Sequence, residues 1–193
     1  MHIPPFIDKK KIINEREIMK KRGQPMTLHH YIGSNKELPL GTIGQNPTYK
    51  PFSELNINMF DKKQKKPKTY QKEELLIEVF ETEEDFEGIH IDYLDPVYEA
   101  VRNKFTHPFV YELDIIHSLR ALFKFIEKEL SKGETIEIYS CVDGLETKEK
   151  NNQLDVEIDL SKKRFGKHID FKEIDELIDM FELENLQYVL VKK

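Results

Sequence analysis

The chain has 193 residues, of which 34% are charged and 38% hydrophobic, a composition typical of one polar globular domain, or of one domain plus an arm. Its single cysteine excludes an intramolecular disulfide and a metal site with several cysteines. No run of about 18 apolar residues occurs, and the N-terminus lacks the apolar stretch of a secretion signal, so the sequence predicts a soluble, cytoplasmic protein with no membrane partner.

Charge divides the chain near residue 72. Residues 1–72 contain 15 Lys and Arg against 6 Asp and Glu, whereas residues 73–193 contain 15 against 30. Seven of the nine prolines also lie in the first part, and apolar side chains recur regularly only after Leu75. We therefore expect a basic, proline-containing N-terminal segment over 1–72, with a linker at 61–72 where lysines crowd around Pro67, followed by an acidic domain over 73–193.

The first predicted elements are short. Residues 8–21 fit a weak helix, 27–32 fit a strand that ends at a Gly-Ser-Asn turn, and 54–60 fit another short strand. Residues 75–80 carry apolar side chains on both faces, which predicts a strand inside a sheet. A polar turn follows, and 86–91 are expected to form the hairpin partner of that strand.

Capping residues indicate the next two helices. Asp95 and Pro96 are favoured at a helix start, which predicts a helix to about residue 104. A strand is expected at 109–113, and Asp114 is placed to cap a second helix that ends at Gly133. The apolar residues of this second helix recur at helical spacing: Ile115, Ile116, Leu119, Leu122, Phe123, Ile126 and Leu130.

The remaining elements complete the fold prediction. Strands are expected at 135–141 and 154–160, joined as a hairpin by a polar loop. Asp170 and Glu173 form a possible capping box for a helix, and 186–191 are apolar on both faces, as in a central strand. This order predicts an α+β domain with a mixed sheet of about five to seven strands and two or three packed helices.

Motifs of common enzymes are missing from the sequence. The eight glycines form neither G-x-G-x-x-G nor a P-loop, and neither H-E-x-x-H nor G-x-S-x-G occurs. This favours a non-enzymatic protein without a cofactor or metal. The alternative is a metal-dependent hydrolase or nuclease centred on His90, Asp92 and Asp95, because His90 and Asp92 share one face of an extended segment and Asp95 follows at its corner. His107 could return to that corner after one short helix.

Three carboxylates alternate with apolar residues along predicted strand 154–160. Asp155, Glu157 and Asp159 are expected to stand in a row about 6.5 to 7 Å apart, with Glu137 of the preceding strand beside them. Such a row is unfavourable unless water, salt, a cross-strand base or a partner offsets the repulsion. A solvated sheet face is the simplest interpretation, and a metal site is a further alternative. The functional hypothesis is a surface that binds a basic protein, as bacterial inhibitors or immunity-type proteins require.

A lysine cluster supports a second alternative, the binding of single-stranded nucleic acid by residues 60–72. Lysines contact phosphates, and the aromatic residues near them stack on bases. The lysines concerned are Lys62, Lys63, Lys65, Lys66 and Lys68. The same lysines could instead pair with the acidic domain, and the net charge of −6 disfavours a dedicated DNA-binding domain. Protein binding is therefore the leading prediction.

Two further residue types are expected to have structural roles. His29 and His30 are adjacent in a predicted strand, so they face opposite sides and do not share a metal. Cys141 has no base beside it in the sequence and is expected to be a buried, unreactive thiol.

Overall fold

The structure is a computed structural model that describes residues 27–54 and 75–193. The predicted helix at 8–21, the predicted linker at 61–72 and all but the first residue of the predicted strand at 54–60 lie outside these residues. Within them, no helix is both long enough and apolar enough to cross a membrane.

The described chain is α+β, as predicted, but contains more strands than expected. The strands are β1 Leu28–Ser34, β2 Gly41–Ile43, β3 Thr48–Pro51, β4 Leu76–Val79, β5 Gly88–Tyr93, β6 Phe109–Ile116, β7 Thr135–Val142, β8 Val156–Asp159, β9 Arg164–Phe165, β10 Ile169–Asp170 and β11 Gln187–Lys192. The α-helices are α1 Glu83–Phe86, α2 Leu119–Glu129 and α3 Ile174–Met180. Two 3₁₀ helices span Phe52–Glu54 and Pro96–Lys104.

Nine of the strands form one mixed sheet in the order β10-β9-β8-β11-β7-β1-β6-β5-β2. Neighbouring strands are antiparallel except β8 and β11, which are parallel. β1 lies inside the sheet next to the middle strand β7, paired with β6 on one side and β7 on the other. The predicted division near residue 72 therefore cuts through the sheet, since β1 and β2 precede it.

Both predicted hairpins are wrong. β4 pairs with β3 in a separate two-stranded sheet, where Leu76 is 57% exposed, while β5 joins the large sheet between β2 and β6. β8 does not pair with β7, because β11 lies between them. As predicted, β11 is central and apolar on both faces. In this position, Val189 and Val191 of β11 are fully buried.

Helix α2 begins later than its apolar pattern predicts. β6 continues through Ile116, and His117, with a φ of 74°, forms the turn to the helix. Ser118 is the N-cap, and its Oγ accepts a hydrogen bond from the backbone N of Arg120 at 3.3 Å. Asp114 is a strand residue and not a cap. Apolar residues at the end of β6 fit both periodicities, so the pattern alone could not separate strand from helix.

The other two predicted caps have different outcomes. Asp95 caps the 3₁₀ helix Pro96–Lys104 as expected, with Oδ1 accepting from the backbone N of Val97 at 2.8 Å. Asp170 does not cap α3: it lies in β10 and pairs with Arg164 at 2.9 Å. Glu173 is the N-cap residue of α3 and makes no side-chain capping bond.

The large sheet has two differently covered faces. Helices α2 and α3 pack on one side, here called the α face, where Phe123 and Phe181 meet with ring centroids 6.0 Å apart. The other side, here called the 3₁₀ face, is covered at its centre by the 3₁₀ helix Pro96–Lys104, whose Val101 packs with Tyr31 and Tyr139. The flanks of the 3₁₀ face, along β5–β6 and β8–β11, carry the polar residues discussed next.

Candidate functional site

His90 and Asp92 lie on the same face of β5, as predicted. Ile89 and Ile91, which alternate with them, are buried in the α-face core, so His90 and Asp92 lie on the 3₁₀ face. The register with β6 brings two further acidic residues into the same area. Asp114 stands opposite His90, and Glu112 stands opposite Asp92.

Short hydrogen bonds connect this area to the start of the 3₁₀ helix. Glu112 Oε1 accepts from the backbone N of Asp95 at 2.8 Å, so the helix cap lies beside the strand pair. Asp92 Oδ1 accepts from the backbone N of Tyr93 at 2.7 Å. His90 Nδ1 lies 2.9 Å from Thr42 Oγ1. We call the four acidic groups the β5–β6 carboxylates: Asp92, Asp95, Glu112 and Asp114.

His107 is not part of this area. Its Nε2 lies 2.9 Å from Thr135 Oγ1 and its backbone N donates to Glu137, on the far side of the central strands. Within residues 27–54 and 75–193, no group of three His, Cys, Asp or Glu side chains is placed to hold a metal ion. The metal-dependent hydrolase thus stays a prediction with no ligand set in the described chain.

The β5–β6 carboxylates have no lysine or arginine partner within residues 27–54 and 75–193. In the part of the chain that the structure describes, none of them forms an ion pair with lysine or arginine. Asp92 and Glu112 are direct cross-strand neighbours, and like charges in that arrangement repel. Sequence analysis missed Glu112 and Asp114, because Asp114 was assigned to a helix cap and strand register cannot be derived from spacing alone.

Two highly exposed apolar side chains lie at this end of β5, on different faces. Val97 follows the Asp95 cap and is 73% exposed. Tyr93 is 71% exposed but pairs with Tyr111 of the α-face core, so it lies on the opposite face of the sheet from Asp92 and Glu112. These are the highest exposures among the large hydrophobic side chains of the described residues. On the 3₁₀ face, the carboxylates form no ion pair within the described residues and lie near one exposed apolar side chain, Val97.

The carboxylates of the predicted acidic row on β8 form ion pairs with lysines of the same chain. Asp155 pairs with Lys150 at 2.6 Å and Glu157 pairs with Lys192 at 2.5 Å. Asp159 is buried and contacts Lys162 at 3.4 Å and Lys192 at 3.6 Å. Burial alone would raise the pKa of Asp159, but hydrogen bonds from Lys162 and the charges of both lysines lower it. The row exists, and lysines of this chain already neutralise much of it.

Glu137 does not stand in an exposed row with these groups, because it is only 1% exposed. Its carboxylate accepts hydrogen bonds from the backbone N of Thr106 at 3.0 Å, the backbone N of His107 at 3.0 Å and the hydroxyl of Tyr188 at 2.7 Å. The hydroxyl of Thr106 also donates to it. Glu137 thus fastens the chain that follows the 3₁₀ helix to β7 and β11.

The hydrogen bonds determine the ionisation of Glu137. Burial would raise the pKa of this carboxyl, but the donors from Thr106, His107 and Tyr188 outweigh burial and hold the pKa below its ordinary value. Glu137 is therefore an anion at neutral pH with a structural role.

The predictions for His29, His30 and Cys141 are confirmed in their placement. His29 lies beside Tyr98 on the 3₁₀ face, with ring centroids 5.5 Å apart, whereas His30 Nδ1 lies 2.8 Å from Ser140 Oγ. Cys141 is buried, and burial raises its pKa to about 12. The predicted nucleic-acid-binding lysines at 62–68 lie outside the described residues.

No family model matches this sequence, and comparisons with curated proteins and with solved structures likewise gave no match.

Proposed function

We propose that the protein is a non-enzymatic protein-binding module whose partner presents a basic surface to the β5–β6 carboxylates. The observation that carries this proposal is the pairing of Asp92 opposite Glu112, with Asp114 further along β6 and no lysine or arginine bound to them in the described chain.

Electrostatics supports a cationic partner. Directly opposed side chains on neighbouring antiparallel strands have Cβ atoms about 4.5 to 5.5 Å apart, and an unfavourable pair costs about 0.2 to 1 kcal/mol. A lysine or arginine placed between Asp92 and Glu112 would convert repulsion into two attractions. Such complementarity mainly accelerates encounter and selects partners, and it weakens as salt rises.

The exposed side chain of Val97 favours a protein over a small cation as the ligand. Protein interfaces combine an apolar centre with a polar rim. Val97 supplies exposed apolar surface beside Asp95, and a metal ion would make no use of it. The compensated row on β8 is a weaker candidate, because a partner would first have to displace Lys150 and Lys192 from it.

An inhibitor or immunity-type role is the more specific form of this proposal. The described residues contain 17 Lys and Arg against 30 Asp and Glu, so the surface as a whole attracts a basic enzyme or toxin. We place this role in the bacterial cytoplasm, whose reducing conditions suit the single free thiol.

Affinity capture with three forms of the full chain tests the proposal. The baits are the wild type, the variant Asp92→Asn/Glu112→Gln/Asp114→Asn, and the matched control Asp155→Asn/Glu157→Gln/Asp159→Asn. Each bait is incubated with untreated and with nuclease-treated lysate, and the captured proteins are analysed by quantitative mass spectrometry. We expect a basic protein that binds the wild type and the control and is lost from the β5–β6 variant. Capture that depends only on the β8 row, or that vanishes with nuclease in all three baits, would refute the proposed site.

A further inference from the structure

The described chain enters the large sheet next to the β5–β6 carboxylates. The register of β1 with β6 pairs His30 with Leu113. Asp114 follows Leu113, so the next step of this register, toward the start of β1, places Asp114 beside His29. Residues 1–26 therefore join the sheet at a strand that directly neighbours the acidic strand β6.

The other side of this junction is acidic as well. The backbone O of Thr27, the first described residue, accepts a hydrogen bond from the backbone N of Asp143 at 3.0 Å. Asp143 thus lies on the β7 side of the junction and Asp114 on the β6 side. Neither forms an ion pair with a lysine or arginine of residues 27–54 and 75–193. A segment attached at this point begins in a negative electrostatic field.

The segment that joins the sheet here is basic. Residues 1–26 contain 7 Lys and Arg against 3 Asp and Glu, whereas the described residues contain 17 against 30. Three of these cations are consecutive and are the ones nearest to β1 in the sequence: Lys20, Lys21 and Arg22. We call them the 20–22 basic cluster. The segment and the sheet surface beside its attachment point are therefore complementary in charge.

The 20–22 basic cluster is near enough to Thr27 in the sequence to reach the carboxylates. An extended chain spans about 3.3 to 3.6 Å per residue, so five to seven residues cover about 17 to 25 Å. Neighbouring strands lie about 4.8 Å apart and alternate residues of one strand about 7 Å apart, which brings Asp92, Glu112 and Asp114 within that reach. A return to the 3₁₀ face requires a reversal of the chain, and Gly23 and Pro25 are residue types favoured in turns.

The other lysine-rich run of the chain, at 62–68, is attached elsewhere. It lies between Glu54 and Leu75, and the backbone N of Phe52 donates to the backbone O of Leu75 at 2.9 Å. Both attachment points thus belong to the end of the small sheet β3–β4, which shares no strand with the large sheet in the described chain. The 20–22 basic cluster, by contrast, precedes a strand that pairs with β6.

We propose that the 20–22 basic cluster binds the β5–β6 carboxylates of its own chain when no partner is present, and competes with the basic partner for them. This inference rests on the proposed function, because it concerns the regulation of the same site. The partner finds the site open in only a fraction of the molecules, and its apparent dissociation constant rises by the inverse of that fraction. A weakly basic protein does not displace the cluster, so the segment makes the site more selective.

Carbodiimide cross-linking of the free full chain tests the contact. Unlabelled and ¹⁵N-labelled protein are mixed in equal amounts at low concentration and low salt, and the linked peptides are sequenced by mass spectrometry. We expect Lys20 or Lys21 to be linked to Asp92, Glu112 or Asp114, with both peptides of each link carrying the same isotope. Three results would overturn the inference: links from these carboxylates only to lysines of 62–68, links that join a labelled to an unlabelled peptide, or no link at all.

A binding measurement tests the competition. The probe is fluorescent decalysine, and its binding to the full chain at low salt is followed by fluorescence anisotropy. One variant neutralises the 20–22 basic cluster, and the control neutralises three lysines of the other run, so both lose the same charge. The two proteins are Lys20→Gln/Lys21→Gln/Arg22→Gln and Lys62→Gln/Lys63→Gln/Lys65→Gln.

We expect decalysine to bind the first variant about fivefold more tightly than the control, because a tethered competitor of high effective concentration has been removed. Far-UV circular dichroism shows that both proteins are folded. Adding Asp92→Asn/Glu112→Gln/Asp114→Asn to the first variant should abolish the gain. Equal affinities for variant and control, or a gain that persists without these carboxylates, would overturn the inference.

The inference and the proposed function fail in different ways, since neither measurement needs the natural partner. Equal decalysine affinities, together with a captured basic protein that depends on Asp92 and Glu112, would overturn the inference and leave the proposed function standing. Links within one chain and the fivefold gain, with no basic protein captured by any bait, would support the intramolecular contact and refute the proposed function.

Discussion

Replacement of Glu137 by alanine is predicted to destabilise the protein strongly. The carboxylate of Glu137 accepts from the backbone N of Thr106, the backbone N of His107 and the hydroxyl of Tyr188. The hydroxyl of Thr106 also donates to it, so alanine removes the acceptor and leaves four donors in place. The loop after the 3₁₀ helix then loses its attachment to β7 and β11.

The expected cost follows from the number and exposure of these donors. A buried donor left without a partner costs about 1 to 3 kcal/mol. Thr106 is exposed and His107 and Tyr188 are half-buried, so water replaces part of what is lost. We therefore expect Glu137→Ala to lower the free energy of unfolding by about 3 kcal/mol, and Glu137→Gln, which keeps the shape but loses the charge, by about 1 to 2 kcal/mol.

The same network predicts a pH dependence. The pKa of Glu137 is lowered in the folded protein, so the unfolded state binds the proton more tightly. Its stabilising contribution is complete above the unfolded pKa of about 4.3 and is lost as the pH falls through the folded pKa. Glu137→Gln should lack this part of the acid-induced loss of stability.

Urea unfolding followed by far-UV circular dichroism measures both effects. Glu157→Ala is the matched control, because Glu157 is an exposed glutamate of β8, in the same sheet, with one ion pair, to Lys192. Its replacement should cost less than about 1 kcal/mol. Equal losses for Glu137→Ala and Glu157→Ala, or an unchanged acid profile in Glu137→Gln, would refute the assigned role of the network.

Three further predictions concern charge, protonation and thiol reactivity. Asp92→Asn should raise the free energy of unfolding by about 0.2 to 1 kcal/mol at low salt, because it removes repulsion from Glu112. Urea titrations at two salt concentrations measure this effect, and a destabilised variant would contradict it. Burial lowers the pKa of His30 from 6.5 to about 4, so the unfolded state binds more protons than the folded state between these two pH values. The free energy of unfolding of the wild type should therefore fall by roughly 3 kcal/mol as the pH decreases from 6.5 to 4. His30→Asn, which keeps a polar group near Ser140, should flatten this slope in unfolding experiments, and an unchanged slope would exclude His30 as its source. Cys141 is buried, and burial raises its pKa to about 12. The native protein should therefore not react with a thiol-specific chromogenic disulfide until urea unfolds it. Rapid reaction of the native state would contradict the buried position of Cys141.

The sequence predicted elements well wherever local pattern and tertiary environment agree. β1 and β11 were recognised, and the two-sided apolar character of β11 correctly indicated a central position. The start of the 3₁₀ helix after Asp95 was also predictable, because a capping carboxylate followed by proline acts locally.

Strand partners were not predictable, because pairing depends on contacts between distant parts of the chain. The pattern of β4 suggested a strand inside the sheet, yet it pairs with β3 in a small exposed sheet. The parallel pairing of β8 with β11 displaced the expected hairpin with β7. Nearest-neighbour connection is a frequent solution, but here a strand from the end of the chain lies between β7 and β8.

The candidate site was only partly predictable, because some of its residues come together only through the pairing of two strands. The alternation of side chains placed His90 and Asp92 on one face, and the structure agrees. Only the register of β5 with β6 brings Glu112 and Asp114 beside them. Alternation also suggested an exposed Glu137, but segments distant in sequence cover that part of the 3₁₀ face.

Zero-length cross-linking tests the central claim most directly. A carbodiimide joins a carboxylate to a lysine amine in contact with it, so treating the full chain with its captured partner and sequencing the cross-linked peptides by mass spectrometry shows which carboxylates meet which lysines. We predict links from Asp92, Glu112 or Asp114 to lysines of the partner protein. Links to the partner only through Asp155 or Glu157, or links from the β5–β6 carboxylates only to lysines of this same chain, would contradict the proposed binding surface.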